Sequence, residues 1–164
     1  MLNRAFRALT LLAVFTICVP AAFAAGGGDD GSTLKSRGAS EDPDYIAGKQ
    51  AVEAMNWQAA LDAFNKVAAK DPANANAQNY LGYTYRQLGK FDLAFKHYED
   101  ALRLNPKHRG AHEYLGEAYL MVNNLAKAEE QLKALDKLCF FSCEEYDDLK
   151  KAVAEYKQKA ANKH

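Results

Sequence analysis

Apolar residues in the middle of the chain recur at the three- and four-residue spacing of an amphipathic α-helix. One such run, from position 75 to 88, is followed by Gly89, and glycine is common just past a helix end. A second run, from 91 to 104, is followed by Pro106, which cannot continue a helix. The two runs therefore predict a pair of helices joined by a tight turn.

The same pattern recurs along most of the chain at a fixed step of about 34 residues, which we call the repeat period. One register position holds a glycine, another an alanine and a third a large apolar residue: Gly48, Gly82 and Gly116; Ala60, Ala94 and Ala128; Phe64, Tyr98 and Leu132. Because one helical hairpin cannot bury its apolar face alone, this period predicts stacked hairpins. The small residues predict that the two helices of each hairpin approach closely.

The middle copy contains a spacing that resembles the tetratricopeptide repeat: Leu81-Gly82, Tyr85, Ala94, Tyr98, Ala101 and Pro106. The resemblance covers about residues 41 to 140. The first copy lacks the leucine before its glycine, and the third has Phe140 in place of the closing proline. The resemblance implies an all-α fold, a right-handed α-solenoid with three helix-turn-helix repeats at about 41–74, 75–108 and 109–142.

The last segment, 143–161, is predicted to be a capping helix, and it brings the expected number of helices to seven. Ser142 and Glu145 have the spacing of a capping box, with Ser142 as the N-cap. One stripe of the helix is apolar and the opposite face is charged, as a terminal helix of a solenoid requires. The apolar stripe consists of Tyr146, Leu149, Val153 and Tyr156.

The N-terminus has the pattern of a secretory signal peptide. Arg4 and Arg7 precede an apolar stretch from 9 to 19, and small residues at 22 and 24 predict cleavage after Ala24. The alternative is an uncleaved membrane anchor, although the stretch is short for a bilayer span. Residues 25–42 are rich in Gly, Ser and Asp and predict a flexible linker, so the repeat domain is expected at 43–161. We expect a bacterial periplasmic protein.

Charge and motifs exclude several functions. Removal of residues 1–24 takes away two of the 21 basic residues and none of the 21 acidic ones, so the remaining chain is nearly neutral. The sequence has no basic stripe, which argues against nucleic-acid binding. It has no nucleophile elbow, P-loop or dinucleotide-binding glycine pattern. We therefore predict a protein that is not an enzyme and that needs no cofactor.

The resemblance implies a concave groove, lined by the first helix of each repeat, that takes a peptide or another protein. Carried over to this sequence, the groove positions are Tyr45, Lys49, Val52 and Glu53; Asn76, Asn79, Tyr83, Arg86 and Gln87; and Glu113, Glu117, Leu120 and Met121. Some members of the family clamp a C-terminal carboxylate with basic residues, but acidic residues stand at these places in the third repeat. The charges predict a partner with both signs of charge.

Two further groups of residues have the composition of a chemical site. Cys139 and Cys143 are predicted to form a structural disulfide between the last repeat and the capping helix. The alternatives are a thiol-redox site, since Cys143 would start a helix, or a soft-metal site. His108 and His112 have a spacing that metal ligands can use, and the simpler interpretation is exposed surface histidines.

The leading prediction is a non-enzymatic scaffold or adaptor in the periplasm. A thiol or metal-handling factor and an accessory subunit of a cell-envelope complex are the alternatives.

Overall fold

The computed structural model describes residues 42–162, and this part of the chain contains seven α-helices and no strand. The predicted signal peptide at 1–24, and the linker at 25–42 except for its last residue, lie outside the described residues. The helices are α1 (Pro43–Glu53), α2 (Trp57–Lys70), α3 (Ala75–Gln87), α4 (Phe91–Leu104), α5 (Arg109–Met121), α6 (Leu125–Leu138) and α7 (Glu144–Ala161). The all-α fold and the number of helices are confirmed.

The turn inside each helical pair has the same backbone conformation in all three repeats. Met55, Gly89 and Asn123, which follow one another at the repeat period, have positive φ angles of 53°, 70° and 60°. Glycine adopts this left-handed conformation without strain, and asparagine tolerates it better than methionine does. In the first and third repeats the next residue, Asn56 or Asn124, caps the following helix through its side-chain oxygen. The turns thus place the start of the second helix at the same position in each repeat.

The helices pack in the order in which they occur along the chain. The pairs α1–α2, α3–α4 and α5–α6 form hairpins, and α2 packs on α3 as α4 packs on α5. In the first two hairpins the glycine of the first helix faces a fully buried ring of the second. A Cβ atom at Gly48 would lie 2.7 Å from Phe64, and one at Gly82 would lie 2.6 Å from Tyr98. No side chain fits at these positions, which explains why glycine recurs at the repeat period.

In the third hairpin, the side chain that packs against the glycine comes from the last helix. A Cβ atom at Gly116 would lie 2.5 Å from Leu149, which is fully buried on α7. The residue that corresponds to Phe64 and Tyr98 in this repeat is Leu132, which is smaller and only half-buried. Since α7 packs on both α5 and α6, it supplies the side chain that completes the third repeat.

The start of α7 differs from the prediction. The N-cap is Cys143, without a side-chain cap hydrogen bond, and the helix begins at Glu144. The predicted capping box of Ser142 and Glu145 is wrong, because the extended backbone of Cys143 leaves Ser142 outside the helix. The Ser142 hydroxyl donates instead to the carboxylate of Asp147. Three acidic residues in the first turn of α7 interact favourably with the helix dipole in place of the missing cap.

The helices between residues 42 and 162 include none with both the length and the apolar character that a bilayer crossing requires.

Candidate binding cleft

The helices α3, α5 and α7 together line a cleft of about 320 Å³, which we call the groove cleft. The first helices of the second and third repeats thus share one surface, and the last helix extends it. The wall formed by α3 and α5 consists of Arg86, Glu117, Leu120 and Met121, all of them predicted groove residues. The wall formed by α7 consists of Ala152, Glu155, Tyr156 and Lys159.

Arg86 is held firmly at one side of the cleft. Its side chain is 8% exposed, and its Nη1 atom donates to Oε2 of Glu117 at 2.5 Å. The guanidinium carbon also lies 5.2 Å from the centre of the Tyr83 ring and 5.4 Å from that of Tyr114, within the range of cation–π attraction. Glu117 therefore occupies one end of the guanidinium, while the buried Nε atom of Arg86 has no hydrogen-bond partner within residues 42–162.

Glu113 is a buried acid beside this ion pair. The residue is 9% exposed. Burial raises its pKa to about 8, and the negative charges of Glu117, Asp148 and Glu145 act in the same direction, whereas Arg86 opposes them. At neutral pH the carboxyl group of Glu113 is therefore mainly protonated. Sequence inspection located this residue in the groove but did not reveal its burial.

Asn79 occupies the register position on α3 that Glu113 occupies on α5, one repeat period later. It is 5% exposed, and its side-chain oxygen Oδ1 has no hydrogen-bond partner within the described part of the chain. A Cβ atom at Gly110 would lie 3.5 Å from Nδ2 of Asn79, so the amide borders the first turn of α5. A buried acceptor without a donor costs about 1–3 kcal/mol, which makes this amide an unusual feature of the groove.

The remaining predicted groove residues do not line the cleft. Tyr45 packs edge-on against Phe64 and Tyr80, each with a ring separation of 5.7 Å, because it fills the space where α1, α2 and α3 meet. Lys49 and Gln87 are exposed. Asn76 is also exposed and lies 2.8 Å from a ring nitrogen of His108. The structure thus brings Arg86 of the second repeat together with Glu117, Leu120 and Met121 of the third, and none of the predicted first-repeat positions lines this cleft.

The α7 wall of the cleft was missed by sequence inspection. The sequence pattern predicts Glu155 and Lys159 on the charged face of the capping helix, opposite its apolar stripe. The half-buried Tyr156 was recognised as part of the apolar stripe, and its hydroxyl lies 3.2 Å from Oδ1 of Asn123. Tyr114, which packs against Arg86, was also missed. Its position, one repeat period after Tyr80, is the signal that would have identified it.

The histidines are structural rather than exposed. His108 is 5% exposed and is the N-cap of α5, where Nδ1 accepts from the backbone N–H of Ala111 at 3.1 Å. With Nδ1 as the acceptor, Nε2 carries the hydrogen and donates to Oδ1 of Asn76. His112 is half-buried, and its Nδ1 atom lies 2.8 Å from Oε1 of Gln131. Within residues 42–162 no three His, Cys, Asp or Glu side chains are grouped as metal ligands.

Cys139 and Cys143 are placed at disulfide distance, with their Cα atoms 5.7 Å apart. They join the C-cap of α6 to the N-cap of α7, at the corner that sequence inspection predicted. The loop between them holds Phe140 and Phe141, which are 96% and 84% exposed. This loop is the most apolar exposed segment that we find in the described region, and it is separate from the groove cleft in sequence.

Comparison with known proteins supports the repeat architecture. The sequence model of the tetratricopeptide repeat matches residues 75–108. The protein ycf37 of Guillardia theta is 39% identical over 56 residues, which are 34% of this chain and 32% of that protein. The match therefore spans about a third of the length of this curated relative.

Solved structures with the same fold have low sequence identity to the chain. The type III secretion translocator chaperone SycD of Yersinia enterocolitica is 19% identical, with a TM-score of 0.65 over 72% of this chain and 83% of SycD. The Sgt2 domain of Aspergillus fumigatus is 21% identical, with a TM-score of 0.65 over 75% of this chain and 82% of that domain. The TPR2B domain of yeast Sti1, in complex with an Hsp70 peptide, is 19% identical, with a TM-score of 0.65 over 74% and 97% of the two chains.

Proposed function

Because the chain belongs to the tetratricopeptide repeat family, we propose that it is a scaffold or adaptor that binds a peptide segment of another protein in the groove cleft. The fold is that of proteins that bind peptides. The Sti1 structure contains an Hsp70 peptide, and a structure of SycD contains a peptide of the translocator YopD. Each of these ligands belongs to its own protein.

The observation that carries the proposal is the composition of the groove cleft. Leu120 and the 55% exposed Met121 supply an apolar surface, while Glu155 and Lys159 supply charges of both signs on the α7 side. Apolar surfaces with a few polar groups are typical of ligand sites. The cleft provides no nucleophile paired with a base, so we propose a binding role without catalysis.

The proposal predicts that a cleft residue contacts the partner in cells. A photo-crosslinking amino acid at Met121 is expected to give a discrete adduct, whereas the same group at Lys96, exposed on α4 and outside the cleft lining, gives none. Met121→Glu places a charge on the apolar surface and is expected to reduce adduct formation, measured with the crosslinker at position 159. Because surface substitutions change stability by only about 0.5 kcal/mol, the variant should still fold. Equal adducts at 96 and 121 would contradict the proposal.

We further propose that the protein is exported to the periplasm, where it serves as an adaptor or as an accessory subunit of an envelope complex. The support is the arrangement of Arg4, Arg7, the apolar stretch at 9–19 and Ala24. In that oxidising compartment Cys139 and Cys143 are expected to be joined as a structural staple. The support for the thiol-redox alternative is the position of Cys143 as the N-cap of α7.

One measurement tests export and the state of the cysteines together. The intact mass of the protein from a periplasmic fraction is expected to match a chain that starts at Ala25 and lacks the two thiol hydrogens of Cys139 and Cys143. The matched control is Cys139→Ser with Cys143→Ser, whose mass should not change on reduction. A full-length chain would contradict cleavage, and a pair found reduced in that fraction would favour the redox alternative.

A further inference from the structure

The loop between α6 and α7 presents two adjacent aromatic rings to the solvent. Phe140 and Phe141 are 96% and 84% exposed, and no other large apolar residue between 42 and 162 is more than 72% exposed. Their ring centres lie 5.7 Å apart in an edge-on arrangement. Neither residue lines the groove cleft. Because rings so exposed add almost nothing to the core, the packing of the fold does not explain why both positions are apolar.

Covalent and polar bonds hold this loop at both of its ends. Cys139 is the C-cap of α6 and Cys143 is the N-cap of α7, and their Cα atoms lie 5.7 Å apart in the disulfide. The Ser142 hydroxyl donates to the carboxylate of Asp147 on α7. A restrained loop loses less conformational freedom when it binds a partner than an open one does. The two rings are therefore presented in advance at a fixed corner of the last repeat.

The surface that follows the loop along the chain is negatively charged. Residues 142–149 include Glu144, Glu145, Asp147 and Asp148 and no basic residue. Glu145 lies 3.5 Å from Nε of Arg109, whereas the other three acids are exposed and take no part in that ion pair. The dipole of α7 accounts for the tolerance of acids in its first turn. An incoming partner nevertheless meets negative charge beside the two rings.

We propose that Phe140 and Phe141 anchor a second docking surface, which binds a segment of another protein whose apolar residues are flanked by lysine or arginine. This inference goes beyond the proposed function and is independent of the groove cleft. Aromatic side chains supply much of the affinity of protein interfaces. Opposite charges around them orient the partner and disfavour wrong ones. A bilayer is the other apolar surface available, but anionic lipids attract basic segments, and the acids beside this loop would be repelled.

The test measures the binding of three synthetic helical peptides to the purified full chain with its disulfide formed. The peptides share one leucine stripe, and the positions that flank the stripe are all lysine, all glutamine or all glutamate. Fluorescence anisotropy of labelled peptide gives each affinity. Flotation with vesicles of phosphatidylglycerol and phosphatidylethanolamine measures membrane binding in parallel.

The variants change exposed residues, so the fold should be retained. The first variant removes both rings, and the second removes two of the neighbouring charges: Phe140→Ser with Phe141→Ser, and Glu144→Gln with Asp148→Asn. The matched controls remove an apolar residue from α4 and two charges from α4 and α6: Leu93→Ser, and Glu99→Gln with Glu130→Gln. Met121→Glu is included to recognise a peptide that binds in the groove cleft instead.

The wild type is expected to bind the lysine peptide at least about tenfold more tightly than the glutamate peptide. Loss of both rings should weaken this binding by at least about tenfold, since full burial of one phenylalanine is worth about that factor or more. Loss of Glu144 and Asp148 should reduce the preference for lysine, while both controls and Met121→Glu leave the affinity unchanged.

Equal affinity for the three peptides would overturn the cationic partner, and equal binding by the wild type and the variant without rings would overturn the docking surface. Flotation that requires Phe140 and Phe141 would assign the loop to a membrane instead. Binding lost in Met121→Glu but kept without the rings would place the peptide in the groove cleft. That last outcome would overturn this inference and support the proposed function.

Discussion

Replacing Gly82 by leucine is expected to unfold most of the protein at temperatures at which the wild type is folded. Even a Cβ atom at this position would lie 2.6 Å from the ring of Tyr98, which is fully buried and has no space into which to move. Overpacking of a core commonly costs 1–3 kcal/mol, and here the whole side chain is in excess, so we expect about 3 kcal/mol or more. Thermal unfolding followed by circular dichroism measures the effect.

The matched control for this substitution is Gly110→Ala, also at a helical glycine. A Cβ atom at Gly110 meets nothing closer than Nδ2 of Asn79 at 3.5 Å, an ordinary contact distance. Because alanine favours a helix over glycine by up to about 1 kcal/mol, this variant should melt at the same temperature as the wild type or slightly above it. A Gly82→Leu protein with an unchanged melting temperature would show that α3 and α4 are not held together as the structure indicates.

The stability of the wild type is expected to fall between about pH 5 and pH 8, and Glu113→Gln is expected to remove most of this fall. The pKa of Glu113 is about 8 in the folded protein against an ordinary value of 4.5. Between these values the folded protein holds a proton that the unfolded chain has lost. The stabilising contribution is thus complete below about pH 4.5 and is lost as the pH rises through 8. The slope is at most about 1.4 kcal/mol per pH unit.

Urea denaturation at several pH values measures this slope, and the difference between the two proteins isolates Glu113. His97 opposes the trend, because burial lowers its pKa and its contribution to stability is lost as the pH falls below about 6.5. Since His97 is present in both proteins, it cancels in the difference. Glu99→Gln, an exposed change on α4, should keep the wild-type slope. Parallel curves for wild type and Glu113→Gln would refute the raised pKa.

The repeated part of the fold could be predicted from the sequence because each packing constraint selects a similar residue at the same position of every repeat. Gly48 and Gly82 are small since Phe64 and Tyr98 fill the space beside them. The exchange of Leu132 for Leu149 in the third hairpin could not be predicted, because it depends on a contact between helices that are not paired in sequence. The N-cap of α7 was misplaced by one residue for a local reason, the extended backbone of Cys143.

The candidate site was predicted less completely than the fold. The groove positions implied by the family resemblance include Arg86, Glu117 and Met121, which line one cleft in the structure. The resemblance could not show that Arg86 is neutralised by Glu117 or that Glu113 is buried, because both depend on the distance between α3 and α5 and on the cover provided by α7. Tyr45 illustrates the opposite error, since a groove position carried over from the family packs against Phe64 and Tyr80 in this structure.

The contact of Leu149 with Gly116 makes the end of the chain part of the third repeat. In the first two hairpins the ring that packs against the glycine, Phe64 or Tyr98, belongs to the same repeat. Each of these hairpins is therefore complete when its second helix has formed. The third is complete only when the chain beyond Glu144 has been made. A product cut short before Leu149 would leave Gly116 beside an empty space, and it would also lack the α7 wall of the cleft. Chains cut short before Leu149 are therefore expected to lose both stability and the proposed binding.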